Sequence, residues 1–223
     1  MSSKSSSLLN SVTKKQIMGV TGLLLCGFIL THMSGNVLMF VSADAFNKYS
    51  HTLTSNPLIY AAETILGLLF LAHIFMAMTL VRENMAARPV QYHVRTKSGR
   101  GSTFASSTMP ISGFITLIFL ILHLINLKFG SHYEVEVGGV MMRDMYRTTV
   151  EYFADPLHVL FYIVCVASLG VHVSHGFWSA FQSLGINHPK YTPKIKVLAC
   201  LFGVLTFVGF SSFPIFCYIQ GGR

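Results

Sequence analysis

From Asp155 to Gly185 the chain reads DPLHVLFYIVCVASLGVHVSHGFWSAFQSLG, long enough to cross a bilayer yet carrying His158, His172 and His175. A helix of ~20 apolar residues fills the hydrocarbon core, and an ionisable group inside it is costly enough to require a partner. Four further stretches of this kind run from Gln16 to Val41, Pro57 to Val81, Met109 to Phe129 and Ile195 to Ile219. Backbone groups in lipid must be satisfied within their own segment, so all five are helices rather than strands. Of the 223 residues 52% are hydrophobic and only 11% charged, which excludes an ordinary soluble domain. The expected fold is all-α: one transmembrane domain, 1–223, forming a five-helix bundle with spans at about 16–41, 57–81, 109–129, 155–181 and 195–219.

The net charge of +8 is concentrated in alternate connections, which disfavours a nucleic-acid partner. Lys4, Lys14 and Lys15 precede the first span, Arg82, Arg88, Arg95, Lys97 and Arg100 follow the second, and Lys190, Lys194 and Lys196 follow the fourth. By the positive-inside rule these segments face the cytoplasm, with the N-terminus inside and the C-terminus outside. Docking to an acidic protein surface or to lipid headgroups would suit them equally. The outer segments are neutral or acidic, and the one at Gly130 to Tyr152 is expected to form a short hairpin or a surface helix around Gly138 and Gly139. Pro57, Pro110 and Pro156 are placed early in their helices. Cys26, Cys165, Cys200 and Cys217 lie in apolar spans at spacings of neither a zinc site nor a disulfide framework. The N-terminal segment is expected to stay attached, since the first span is too long for a signal-peptide core.

His32, His73, His123 and His172 occur one per span over the first four helices. Successive helices run in opposite directions, so counting at about 1.5 Å per residue places His32 with His123 in the outer half and His73 with His172 in the inner half. Two imidazole pairs, each drawn from two helices, are suited to clamping two stacked metal centres, and haem iron accepts axial imidazoles from opposite faces. Gly19, Gly22, Gly27, Gly67, Gly113, Gly170 and Gly176 are candidates to make room for the macrocycle. Each ligating ring would bond a nearby backbone carbonyl through its other N–H, with Ser and Thr near the histidines assisting, none of them singled out. Zinc is the weaker candidate, because neither pair has accompanying Cys or carboxylate ligands. A proton relay also fits four intramembrane histidines. His175 is an alternative to His172 as ligand, or a propionate contact near Trp178 and Gln182. His158 is interfacial, and His51, His93, His132 and His188 are loop residues.

FILTHMSGN in the first helix, DAFNKYSHTL in the first outer segment and HVSHGFWSAFQSLG in the fourth helix together resemble the di-haem cytochrome b558-type membrane-anchor subunit of succinate dehydrogenases and fumarate reductases, in its single-chain five-helix form. The resemblance covers nearly the entire chain. It implies two haem b groups, with His73 and His172 on the proximal haem and His32 and His123 on the distal one, and it favours His172 over His175 as ligand. It also implies a flavoprotein subunit bearing FAD, an iron-sulfur subunit, and exchange of electrons with membrane quinone, menaquinone being the expected one. A bacterial cytoplasmic (inner) membrane location and a possible dimer of the whole complex go with it. Met18 and Gly19 stand where some relatives anchor haem propionates through Gln and Ser. The chain has no nucleotide-binding Gly-rich loop and no Cys cluster, so flavin and iron-sulfur chemistry belong to partners.

Quinone chemistry needs protons, and Glu63 is the carboxylate read as lying well inside a span, at the depth of His32 and His123. It is the expected proton-exchanging residue of an outer quinone site; snorkelling at the outer interface or pairing with Lys48 is the bland alternative, and His51 and His158 are weaker candidates on the same side. Electrons would then run from the inner partner, by the inner and outer haems, to quinone. The alternatives are an anchor for a different dehydrogenase, such as one for formate or hydrogen, and a haem-free proton-coupled transporter.

Overall fold

The computed structural model describes residues 10–87 and 104–221. The expected loop residues Lys4, Arg88, His93, Arg95, Lys97 and Arg100 lie outside these. The described chain forms α1 (Ser11–Asn36) with a 3-10 turn (Val37–Phe40), α2 (Ala43–Ser55), α3 (Leu58–Ala86) and α4 (Phe104–His123) with a π-helical turn (Leu124–Lys128). It continues through β1 (Glu134–Val137), β2 (Val140–Arg143), α5 (Met145–Tyr152), α6 (Pro156–Ser183) and α7 (Thr192–Gly221). Five helical segments, Ser11–Phe40, Leu58–Ala86, Thr108–Lys128, Pro156–Ser183 and Thr192–Gly221, are long and apolar enough to cross a membrane, so this is a multi-pass membrane protein.

The helices overrun several of the expected boundaries. Because α4 begins at Phe104, Pro110 falls inside it rather than in its first turn. Pro57 stands just before α3, and Pro156 opens α6 as its first residue, with the Asp155 carboxylate accepting from the Leu157 N–H at 2.8 Å. Where a hairpin or a surface helix was expected, both are present: β1 and β2 pair antiparallel from Glu134↔Arg143 to Val137↔Val140, and α5 follows. Gly138 and Gly139, at φ of 64° and 81°, supply the two left-handed positions such a tight turn needs. The chain also adds α2, capped by Ser42, at that same end, hereafter the hairpin end.

Helix α6 is the hub, lying against α7, α4 and α1, while α1 also holds α3. Met39, Phe46, Phe153, Val159, Tyr162 and Cys217 form a buried cluster at the hairpin end, and Cys26, Val173 and Phe202 a second one within the bundle. The outer faces of α3 and α4 stay apolar and uncovered: Ile65, Leu68, Leu71 and Phe75 are each 60–65% exposed, as lipid-facing residues should be. The four cysteines are free, and only Cys200 is exposed.

The hairpin end is locked by side chains. Asn47, 1% exposed, donates to the Asp144 carboxylate at 2.9 Å and accepts from the Tyr146 N–H at 2.9 Å, while Asp144 caps α5 through the Arg147 N–H. Replacing Asn47 by leucine leaves the Tyr146 N–H without its acceptor, a loss of about 1–3 kcal/mol, and takes one of two donors from the Asp144 carboxylate. Thermal unfolding in detergent should show a lowered midpoint for Asn47→Leu, and for Asn47→Asp as well, because its carboxylate would face that of Asp144 where the amide donated. Arg143 ties the hairpin to the end of α4 by donating to the carbonyls of Lys128 at 2.7 Å, Ser131 at 3.1 Å and Leu127 at 3.2 Å. At the opposite end Lys14, buried, is ion-paired with Glu83 in the last turn of α3.

Candidate haem-binding site

Four imidazoles come together in the bundle as two pairs. His73 on α3 meets His172 on α6, with ring centroids 6.5 Å apart and planes at 75°. His32 on α1 meets His123 on α4, with centroids 5.8 Å apart and planes at 89°. The partners are those reached by counting depth along antiparallel helices. His172 faces His73, whereas His175 rests edge-on against Trp178 at 5.8 Å, near the Lys196 ammonium that sits 4.6 Å from the same indole.

In the first pair, each ring is held by its Nδ1. Thr21 Oγ1 lies 3.1 Å from His73 Nδ1, and Ser112 Oγ lies 3.2 Å from His172 Nδ1. A glycine follows each hydroxyl: a Cβ on Gly22 would stand 3.3 Å from His73 Cε1, and one on Gly113 would stand 3.3 Å from His172 Cε1. Both glycines therefore let an imidazole edge press against the neighbouring helix. The second pair is built differently. Phe28 stacks on His32 at 5.4 Å and 13°, Phe210 flanks it at 5.8 Å, and Asn36 Nδ2 is 3.5 Å from His32 Nε2. His123 lies beside Phe119 and Tyr162, and its Nδ1 is buried without a hydrogen-bond partner among the described residues.

Several of the glycines read as space for a macrocycle serve elsewhere. A Cβ on Gly170 would stand 2.9 Å from the Gly203 carbonyl, so this glycine lets α6 touch α7; Gly19 faces the Ala180 backbone and Ser183. Gly27, Gly67 and Gly176 have no other heavy atom within 4 Å of a built Cβ. Sequence reasoning missed the roles of Thr21 and Ser112, although a hydroxyl-glycine dipeptide, Thr21-Gly22 and Ser112-Gly113, was there to be read on a helix neighbouring each of His73 and His172.

Glu63 lies in the second turn of α3, close to the hairpin end, and pairs with Lys128 at 2.5 Å rather than with Lys48. Both side chains are partly exposed, 43% and 42%. Nor is it alone in a span, since α3 extends far enough to include Glu83. His51 is on α2, half-buried. His158 stacks flat on Tyr152 at 4.2 Å and 5°, with its Nδ1 2.8 Å from the Tyr152 carbonyl, and Asn126 in the π turn donates to the Tyr152 hydroxyl at 2.8 Å.

The histidine pairs fit haem on chemical grounds. Two imidazoles on opposite sides of one metal ion, at nitrogen–metal bonds of about 2.0–2.1 Å, bring their ring centroids about 6.3 Å apart, close to both observed separations. A pair supplies two ligands, which is what axial ligation of a haem takes, whereas a protein-only zinc site needs three or four. No group of three or more His, Cys, Asp or Glu suited to a metal is assembled among the described residues.

Fold and site together define a class: a five-span membrane bundle with two internal pairs of histidines. Among known proteins, the chain is 27% identical over 197 residues to the succinate dehydrogenase cytochrome b558 subunit of Bacillus subtilis (strain 168), a match that covers 86% of this chain and 89% of that protein. This agrees with the resemblance to the cytochrome b anchor carried by the motifs. No family model and no solved structure matches.

Proposed function

We propose that this chain is the membrane-anchor cytochrome b subunit of a succinate:quinone oxidoreductase, holding one b-type haem between His73 and His172 and a second between His32 and His123. The single observation that carries the reading is the meeting of these four histidines as two pairs, at 6.5 and 5.8 Å, on helices that the sequence separates widely. When bound, haem iron supplies one-electron transfer, which joins a two-electron dehydrogenase to quinone in the membrane.

The chain's own residues orient the ligands, exclude water and set polarity. Thr21 and Ser112 hold the rings of the inner pair, and Phe28, Phe210 and Phe119 surround the outer pair with apolar surface. In this reading the end bearing Lys14, Lys15, Arg82, Lys190, Lys194 and Lys196 faces the cytoplasm and receives an iron-sulfur subunit and a flavoprotein. The hairpin end faces outward, and there Glu63, paired with Lys128, exchanges protons with quinone, with His51 a weaker candidate on the same side.

Gentle solubilisation of the native complex tests the assignment. The expected result is co-purification with a flavoprotein that oxidises succinate, together with a pyridine haemochrome corresponding to two haems per chain. Recovery with a molybdenum or nickel enzyme would move the chain to a different dehydrogenase, and well-folded protein without haem would end the cytochrome reading.

A further inference from the structure

The two histidines of the inner pair are held by the same device, used twice. On α1, Thr21 and Gly22 face His73 of α3; on α4, Ser112 and Gly113 face His172 of α6. In each case a hydroxyl stands 3.1–3.2 Å from Nδ1, and a glycine leaves 3.3 Å between its built Cβ and Cε1. The chain shows no sequence repeat, so this is a local likeness between the pairs α1/α3 and α4/α6.

A hydroxyl has one proton to give, and each of these has a carbonyl of its own helix within reach to receive it. Thr21 Oγ1 donates to the Ile17 carbonyl at 2.8 Å, and Ser112 Oγ donates to the Met109 carbonyl at 3.2 Å. What each oxygen then presents to its imidazole is a lone pair. A neutral imidazole has one N–H and one bare nitrogen, and the acceptor at Nδ1 selects the tautomer with the proton there and the bare nitrogen at Nε2. Thr21 and Ser112 are buried, 7% and 5% exposed, so water does not compete for either bond. The outer pair has no such device: His123 Nδ1 has no partner among the described residues, and His32 has a long contact to Asn36.

We infer that Thr21 and Ser112 are positioning residues that fix His73 and His172 in the Nδ1–H tautomer, aim each Nε2 at the space between the two rings, and strengthen both nitrogens as donors to an iron bound there. The inference rests on the haem reading above for its last part and on geometry alone for the first two. A second acceptor, the Met18 carbonyl, also reaches His73. Ser112 therefore bears more of the load at its histidine than Thr21 does at its own.

The test uses the complete solubilised complex with Thr21→Val, Ser112→Ala and the conservative Thr21→Ser and Ser112→Thr. Losing an acceptor to a ligating imidazole weakens its donation, so Ser112→Ala should raise the midpoint potential of one haem, leave the other in place, and bind that haem about 10–100-fold less tightly. Thr21→Val should move the same haem by less, and the conservative variants should restore wild-type potentials. Unchanged potentials and haem retention in Ser112→Ala, or changes in both haems alike, overturn the inference while leaving the cytochrome assignment intact. Should the wild-type protein fold without haem, the assignment fails separately, and the tautomer is still readable from ¹⁵N shifts of the histidine rings. Nδ1–H at His73 and His172, giving way to mixed tautomers at His172 alone in Ser112→Ala, supports the inference; Nε2–H in the wild type overturns it.

Discussion

Alanine at His73 or at His172 should remove the same single haem from the purified complex, and alanine at His32 or at His123 should remove the other. Each variant is expected to lose about half the reduced-minus-oxidised absorbance, because an axial site with one imidazole left cannot hold its iron in the six-coordinate form that two imidazoles support. The two members of a pair should be indistinguishable in which haem they lose, since each pair meets across one centre, at 6.5 Å and 5.8 Å between rings. The double variant His73→Ala/His172→Ala should lose no more than either single change. His175→Ala provides the contrast: its ring rests on Trp178 rather than opposite His73, so both haems should remain. Loss of haem in His175→Ala with retention in His172→Ala would reverse the assignment within α6.

The second large effect starts at a helix crossing away from the histidine pairs. Helices α6 and α7 cross at Gly170 and Gly203, where a Cβ on Gly203 would stand 2.6 Å from the Gly170 carbonyl and 2.7 Å from Ser174 Cβ. Without a hydrophobic drive between helices in lipid, such backbone contact is a main source of association, and small residues make it possible. Gly203→Ala should lower the unfolding midpoint in detergent, corresponding to about 1–3 kcal/mol of overpacking, and Gly203→Leu should prevent assembly of the bundle. Because α6 carries His172, any haem held between His73 and His172 should be lost along with the packing. Gly67 is the control: nothing lies within 4 Å of a built Cβ there, and alanine in mid-helix is favoured over glycine by about 0.5–1 kcal/mol. Equal behaviour of Gly203→Ala and Gly67→Ala would show that the crossing is looser than its geometry.

Much of the site could be read in the chain. The five spans follow from the ~30 Å of hydrocarbon that a helix must cross, a length requirement that a sequence displays directly. Depth follows too, because antiparallel helices convert position along the chain into height in the bilayer, and this brings His32 to His123 and His73 to His172. Rotation about each helix axis is another matter. A helix apolar all round has no polar stripe to show which side meets its neighbours. Gly170 was therefore read as space for a macrocycle when it serves the α7 contact, and the ion pair considered as the alternative role of Glu63 was with Lys48 when Lys128 is its partner. The role of Asn47 beneath Asp144 and Tyr146 depends on how α2 folds back over α5, residues almost a hundred positions apart.

The sequence by itself determined the class of fold, the number of crossings and the heights at which imidazoles meet, since all three depend on length and order along the chain. Only the tertiary structure decided which hydroxyl holds which imidazole, which glycines admit a ring and which admit a helix. Those choices turn on the rotation and close approach of helices whose lipid-facing and protein-facing sides carry the same apolar residues.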